Sequence, residues 1–516
     1  MVKNLFDKFL RSLMIALFTF SIIVSILINL GLNFIVYNEV PIGMKFVINI
    51  FSILIILLGL SAGYYKRDRI VIWLQKLLNI KNLIFFVMLA SFIIRILWIT
   101  LVQTIPVSDF AMMYNSAKEV FGGNFSCFHG FNYFARFPHD TITVLYYSLF
   151  YNFNENPLFL IKLFNVLFST LSIFIMYSIV KQLLGYKSAV VSAILLSLFP
   201  PFVMYTSQML SENMAIPFYL ISIYFFIKYI KNMNKYRWII FSGLALSVAN
   251  MFRSVGIIFI IAYIMYFVIY KGIKRGVKVV PIIIVMFILP LYVTSTLLLN
   301  NKIIESHLWQ PKETPLTSIL RGTNLKSFGF WNEEDSNMPS KYNYDETKVK
   351  EESLKLIEQR LLHSPIQNVV ALYIVKLGGQ LGVSDFGAFE FTVINSNSTL
   401  EGEILKYFTF TTLTLINIFH IFLLYFSVIC LKKKKKLSSE LNLLLILSLG
   451  FICLYLISEV QPRYSFIICW TLVIFAAGGL KEKNILKNII KQENTLETPN
   501  TEEIITTLRS NESLED

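Results

Sequence analysis

Cysteine is nearly absent from this sequence. Cys127, Cys430, Cys453 and Cys469 are the four in 516 residues. Three lie within or beside apolar runs, and Cys127 falls in a long polar stretch. They offer no disulfide framework and no zinc-type spacing. Charge is scarce too, with Asp, Glu, Lys and Arg making up 15% of the chain. There are five histidines; His139 has no partner at metal-ligand spacing and reads as structural. Alternation of apolar and polar residues is missing, which excludes a transmembrane β-barrel. There is no internal repeat of the kind transporters show. Lys3, Lys8 and Arg11 precede an apolar run that no small-residue cleavage site follows, so the run reads as an uncleaved first helix.

What remains is an apolar, aromatic chain. It is 55% hydrophobic, with 46 Phe and 26 Tyr, and many of its runs reach the roughly 18 residues that span a bilayer. The fold class is therefore all-α and polytopic, with about twelve transmembrane helices. The expected spans are 12–36, 43–63, 82–104, 158–180, 188–206, 213–231, 236–250, 254–270, 278–299, 405–430, 438–457 and 464–480. The net charge of +14 is concentrated in short connections between them, so it reads as an orientation signal and an attraction to anionic lipid, not as a nucleic-acid surface.

Orientation follows from those basic connections. Tyr65 to Arg69, Lys181 to Lys187, Lys228 to Arg237, Lys271 to Lys278, Lys432 to Lys436 and Lys481 to Lys487 all fall on one side, which is then cytoplasmic, with both termini. Counting Gln367 to Leu381 as a span would move the five lysines outside. It reads instead as an interfacial helix on the outer face, as does the short Thr141 to Tyr151. The tail beyond Lys491 is polar and Thr/Glu-rich, and is expected to be disordered and cytoplasmic.

The ionisable residues that a bilayer disfavours gather on the outer side. Asp109 follows the run Leu83 to Leu101, in Pro106-Val107-Ser108-Asp109-Phe110. Arg136, His139 and Asp140 lie further along the same loop. Glu212 lies in Ser211-Glu212-Asn213, and Arg253 in the turn after Phe252. Glu459, Gln461, Arg463 and Tyr464 precede the last span. Each has a plainer use: Asp109 and Glu212 suit helix N-termini, Arg253 can snorkel to lipid phosphate, and Arg463 and Tyr464 can anchor at an interface. Four outer turns bearing such groups favour one shared cavity. A carboxylate there can deprotonate a hydroxyl or hold a divalent metal. Arginines suit a phosphate that leaves with negative charge. Helices around them can hold a lipid tail.

These residues resemble the GT-C superfamily of membrane glycosyltransferases, and most closely the bacterial glycosyltransferase family 39 and protein O-mannosyltransferase-like group. The resemblance rests on Ser108-Asp109-Phe110 with Tyr114 and Ala117, on Tyr133-Phe134 through Pro138, on Ser211-Glu212, on Arg253, and on Arg463-Tyr464. It covers roughly 82–480. A paired acidic motif, frequent in the first loop of that family, is replaced here by Ser108-Asp109-Phe110. Asp140 and Glu212 are the alternatives for a second carboxylate.

The resemblance implies a sugar donor linked to polyprenyl phosphate, a cell-envelope glycan, lipid or protein as acceptor, inversion at the anomeric carbon, and chemistry on the extracytoplasmic face. Asp109 would be the general base and Arg253 and Arg463 the donor-phosphate residues. Glu459 and Tyr464 would shape the donor sugar site, with Arg136, Asp140, Glu212 and Gln461 as further binding candidates. Residues 1–81 would be an added helix pair. Residues 82–299 would form the core, with the first outer loop at 105–157. Residues 300–404 would be a small lid, 405–480 the closing helices, and 481–516 the tail. Two other readings remain: a transporter or flippase for a lipid-linked sugar, and an outer-face polysaccharide polymerase or ligase.

Overall fold

The computed structural model describes residues 2–35, 82–233, 235–397, 399–433 and 437–480, with four isolated positions between 47 and 54. The expected span 43–63 and the tail 481–516 lie outside the described residues, as do the last three of the five lysines.

The protein is an all-α, multi-pass membrane protein. No strand is present among the described residues beyond one isolated bridge, Thr104 to Ser396. The main helices are α1 (Val2–Ile35), α2 (Leu83–Leu101), α3 (Ser108–Phe121), α4 (Thr141–Ser148), α5 (Leu158–Leu184), α6 (Tyr186–Leu198), α7 (Glu212–Lys231), α8 (Arg237–Phe252), α9 (Gly256–Tyr266) and α10 (Ile273–Asn300). Then come α11 (Leu316–Gly322), α12 (Glu346–Leu362), α13 (Ile366–Leu381), α14 (Thr409–Lys433), α15 (Ser439–Ile457) and α16 (Trp470–Leu480). Among the described residues, seven helices are long and apolar enough to cross a membrane, or eight if a bent pair counts as one span. Three shorter apolar helices stand where further spans are expected, at Arg237–Phe252, Gly256–Lys271 and Trp470–Leu480.

The bent pair corrects one expectation. Residues 188–206 are not one continuous helix: α6 stops at Leu198, and a second helical piece, Pro200–Ser207, leaves at 62°. Pro200 and Pro201 have no N–H, so the carbonyls four residues back lose their donors. Those carbonyls belong to Leu196 and Ser197. Arg95 of α2, fully buried, donates to both, at 3.4 and 3.2 Å. Its remaining contacts are Ser169 Oγ at 2.8 Å and both oxygens of Ser91. In the sequence Arg95 is a single charge inside the apolar run Leu83 to Leu101.

Around this joint, α7 packs on α8, α8 on α10, α14 on α16 and α1 on α14. Glycine permits the closest of the contacts made by α1. A Cβ on Gly382 would stand 2.4 Å from a methyl of Val24. Ser25 donates to the Gly382 carbonyl at 2.9 Å.

The insert beyond α10 is helical and holds a small apolar cluster of its own, Leu320, Met338 and Val349. Within it the Arg360 guanidinium grips both oxygens of Asp335, at 2.8 and 2.9 Å. Lys376 of α13 fastens the insert to the body. Its amine donates to the carbonyls of Gly322, Leu456 and Ser458, at 2.7, 2.7 and 2.8 Å. These carbonyls sit at the C-terminal ends of α11 and α15, where helices leave acceptors unpaired and favour a cation.

Candidate functional site

The loop before α3 is pinned at several points, and this sets the position of Asp109. Ile105 N–H donates to the Asn395 carbonyl, and Asn397 N–H to the Gln103 carbonyl, both at 2.8 Å. The buried amine of Lys162 reaches the Thr104 carbonyl at 2.7 Å. Ser108 takes a left-handed φ of 51°, which turns the chain sharply into α3. Asp109 then lies in the first helical turn without capping the helix through its side chain. Its Oδ2 accepts from Arg463 Nη2 at 2.7 Å, across 354 positions of sequence. Its other oxygen faces only the Ser108 hydroxyl, at 3.4 Å.

Arg463 belongs to a short 3-10 helix, Pro462–Ile467, that replaces the start of the expected span 464–480. Its guanidinium carbon stands 5.5, 5.4 and 5.6 Å from the ring centres of Phe110, Phe391 and Tyr464. Its Nε is buried and has no hydrogen-bond acceptor.

A second pair stands beside the first. Glu212 opens α7 and meets Arg253 Nε through Oε1 at 3.2 Å, with the carboxylate almost wholly enclosed. Arg253 ends α8, and its carbonyl takes the Tyr219 hydroxyl. Asn250 serves the same turn by accepting from Gly256 N–H at 2.9 Å. The Arg253 guanidinium lies 5.3 Å from the Tyr464 ring centre, so one tyrosine ring borders both arginines.

A third set runs outward through the insert. Arg136 places Nε and Nη2 on Glu313 Oε2, at 2.9 and 2.6 Å. Glu313 also takes Thr317 Oγ1 at 2.7 Å and approaches Arg321 at 3.6 Å. Arg321 Nε meets Glu459 Oε2 at 2.5 Å. The other Glu459 oxygen accepts from Gln461 at 2.7 Å and from the Tyr464 hydroxyl at 3.2 Å. Charges alternate along this chain, and it ties the first loop, the insert and the last outer connection together.

Asp140 is buried, with His139 Nε2 at 3.5 Å from Oδ2. Burial pushes its carboxyl above the usual range, the nearby charges of His139 and Arg253 pull it back, and Asp109 and Glu212 add to the rise. Burial likewise pushes the Tyr133 phenol up, with Asp109 and Asp140 adding to the effect. The phenol therefore stays protonated beside the Asp109–Arg463 pair.

The nine candidate residues from the sequence fall in and around these three sets and Asp140. Asp109, Arg463 and Tyr464 meet around one pair, and Glu212 and Arg253 around the next. Glu459 and Gln461 belong to the third set. Arg136 joins that set through Glu313 and makes no direct contact with Asp109. Glu313, Arg321 and Tyr133 were missed as candidates. The two insert residues had no signal beyond membership of a Glu-rich stretch, and Tyr133 counted only toward the family pattern. Among the described residues, no group of three or more His, Cys, Asp or Glu is close enough to hold a metal ion.

Residues 141–299 match the family model described as Dolichyl-phosphate-mannose-protein mannosyltransferase, under a third of the chain. That segment contains Glu212 and Arg253, and stops short of Asp109 and Arg463. The chain is also similar to two solved structures. One is ArnT from Cupriavidus metallidurans bound to undecaprenyl phosphate, at 11% identity, 78% of each chain and TM-score 0.38. The other is the archaeal oligosaccharyltransferase AglB from Archaeoglobus fulgidus in complex with an inhibitory peptide and a dolichol-phosphate, at 12% identity and TM-score 0.41. That alignment covers 80% of this chain and 51% of AglB. No curated protein matches the chain. The expected resemblance to membrane glycosyltransferases is thus found over residues 141–299, and it supports glycosyl transfer as the coarse activity.

Proposed function

We propose, from a chain whose residues 141–299 match a membrane mannosyltransferase family, that this protein moves a sugar from a polyprenyl-phosphate donor to a hydroxyl of a cell-envelope acceptor. The observation that carries the reading is the meeting of Asp109 with Arg463, 2.7 Å apart, beside the Glu212–Arg253 pair. A carboxylate and two guanidinium groups gathered in one place match the two needs of the reaction. The hydroxyl must lose a proton, and the leaving phosphate must be neutralised.

Asp109 takes the proton of the acceptor hydroxyl as its oxygen attacks the anomeric carbon. The bond from that carbon to the phosphate oxygen breaks, and the electron pair leaves with the polyprenyl phosphate. Attack opposite the leaving group inverts the centre. Arg463 and Arg253 face the phosphate. Tyr464, between them, borders the sugar. The basic connections between spans favour a site on the extracytoplasmic side, with the prenyl tail lying between helices.

A strain lacking the gene, complemented with wild type or Asp109→Asn, tests this through its surface glycans. Wild type alone should restore the missing sugar. Restoration by Asp109→Asn would remove the base role and favour a transporter, for which that carboxylate tunes affinity only.

A further inference from the structure

Four carboxylates of the cluster already have an arginine beside them. Asp109 has Arg463, Glu212 has Arg253, Glu459 has Arg321, and Glu313 has Arg136. A phosphodiester entering such a balanced cluster needs donors that are not committed elsewhere. Arg463 has them. Nη2 serves Asp109, while Nε is buried without an acceptor. An arginine fork matches phosphate through two parallel N–H groups. Here one arm is spent on a carboxylate that the reaction needs for something else.

We propose that Arg463 changes partner during the cycle. The donor phosphodiester draws the guanidinium off Asp109, and the released carboxylate becomes free to take the acceptor proton. The inference rests on the donor and base roles proposed above and adds an order to them: donor first, acceptor second. Before donor binds, one of the two Asp109 oxygens, Oδ2, is held by Nη2. The surroundings of Arg463 suit a change of partner. Three aromatic rings flank its guanidinium, and they permit sliding where a second carboxylate would hold it. The Asp109 side chain is 26% exposed, so it lies open to an acceptor from outside. Glu212, at 2%, does not. The exchange therefore belongs to the Asp109–Arg463 pair, while Glu212–Arg253 stays fixed.

The test is a double-mutant cycle on the full chain in lipid nanodiscs, with polyprenyl phosphate as the probe. Asp109→Asn should tighten binding about three- to tenfold, because the competitor for the guanidinium is gone. Arg463→Gln should weaken it about tenfold or more. In the Arg463→Gln background, Asp109→Asn should leave the dissociation constant unchanged. If Asp109→Asn tightens binding equally in both backgrounds, the effect is through-space repulsion and the exchange is wrong. It is also wrong if Asp109→Asn fails to tighten binding in the wild-type background. In that case loss of sugar transfer by Asp109→Asn still upholds the base role, so the two ideas fail separately. No binding of the probe by wild type removes the donor reading and the exchange together. Arg463→Lys, which keeps the charge and loses the fork, replaces Arg463→Gln if the latter does not fold. Initial rates give a second readout. A non-reactive acceptor analogue should inhibit uncompetitively against donor, and simple noncompetitive inhibition would overturn the order.

Discussion

Arg95 and Arg463 are both held inside the fold, but by different kinds of partner. Arg95 gives its donors to two serine hydroxyls and to the carbonyls of Ser91, Leu196 and Ser197. None of these can leave, since they belong to the backbone or sit on packed helices. Arg463 gives one donor to one carboxylate and keeps another without an acceptor. A charge satisfied by neutral, fixed acceptors holds the structure together. A charge balanced by another charge at a partly open surface can exchange partners. Lys376 belongs with Arg95 by this criterion, because its amine caps three carbonyls.

The contrast is sharpest in catalysis. Asp109→Asn should cut sugar transfer about a thousandfold or more while the melting temperature stays near wild type. Rates measured with purified protein, beside a thermal melt, decide it. Arg95→Met should do the reverse. The Ser197 carbonyl at the Pro200–Pro201 break loses its Arg95 donor and the Leu196 carbonyl keeps only Phe199 N–H, at about 2–4 kcal/mol of stability, and activity per folded molecule holds. Folded Arg95→Met protein with no turnover would break the comparison. Arg463→Ala and Arg253→Ala come next. Each should raise the KM for donor about tenfold or more and leave the KM for acceptor nearly unchanged. Equal changes in both would remove the donor-phosphate assignment.

Lys376→Met tests the scaffold side again. The insert should loosen by about 2 kcal/mol, seen as faster proteolysis within residues 300–404 while the membrane helices stay intact. Asp140→Asn should have the smallest effect, and one that depends on pH. Its carboxyl titrates higher in the folded protein than in the unfolded chain. Its contribution to stability is present below the unfolded value and is lost as pH rises through the folded one. Asp140→Asn should therefore melt higher than wild type at pH 8 and alike near pH 4. A lower melt at pH 8 would show that the charged form is the one the fold needs.

Most of the helical architecture was legible because long apolar runs have one dominant use. The break after Leu198 was misread, although Pro200 and Pro201 stood in plain view, since the run stays apolar across it. The outer residues were legible as a set, because charge at membrane depth is conspicuous. Their pairing was not. Asp109 and Arg463 are 354 positions apart, and nothing local to either points to the other. Glu313 and Arg321 were lost among many similar residues in the insert. Arg95 was hidden for a different reason: its partners are largely backbone carbonyls, which every residue has.

The Gly382 groove that receives Val24 has a consequence for how the chain is made. Ser25 donates to a carbonyl 357 positions downstream and accepts from Asn417, 392 positions away. At ordinary rates of translation α1 emerges on the order of tens of seconds before either partner exists. Until then the buried Ser25 lacks both of these partners, whereas the Ser21 hydroxyl is satisfied within α1 by the Leu17 carbonyl. The docking of α1 against α14 thus reports that the chain has been synthesised and inserted as far as Lys433.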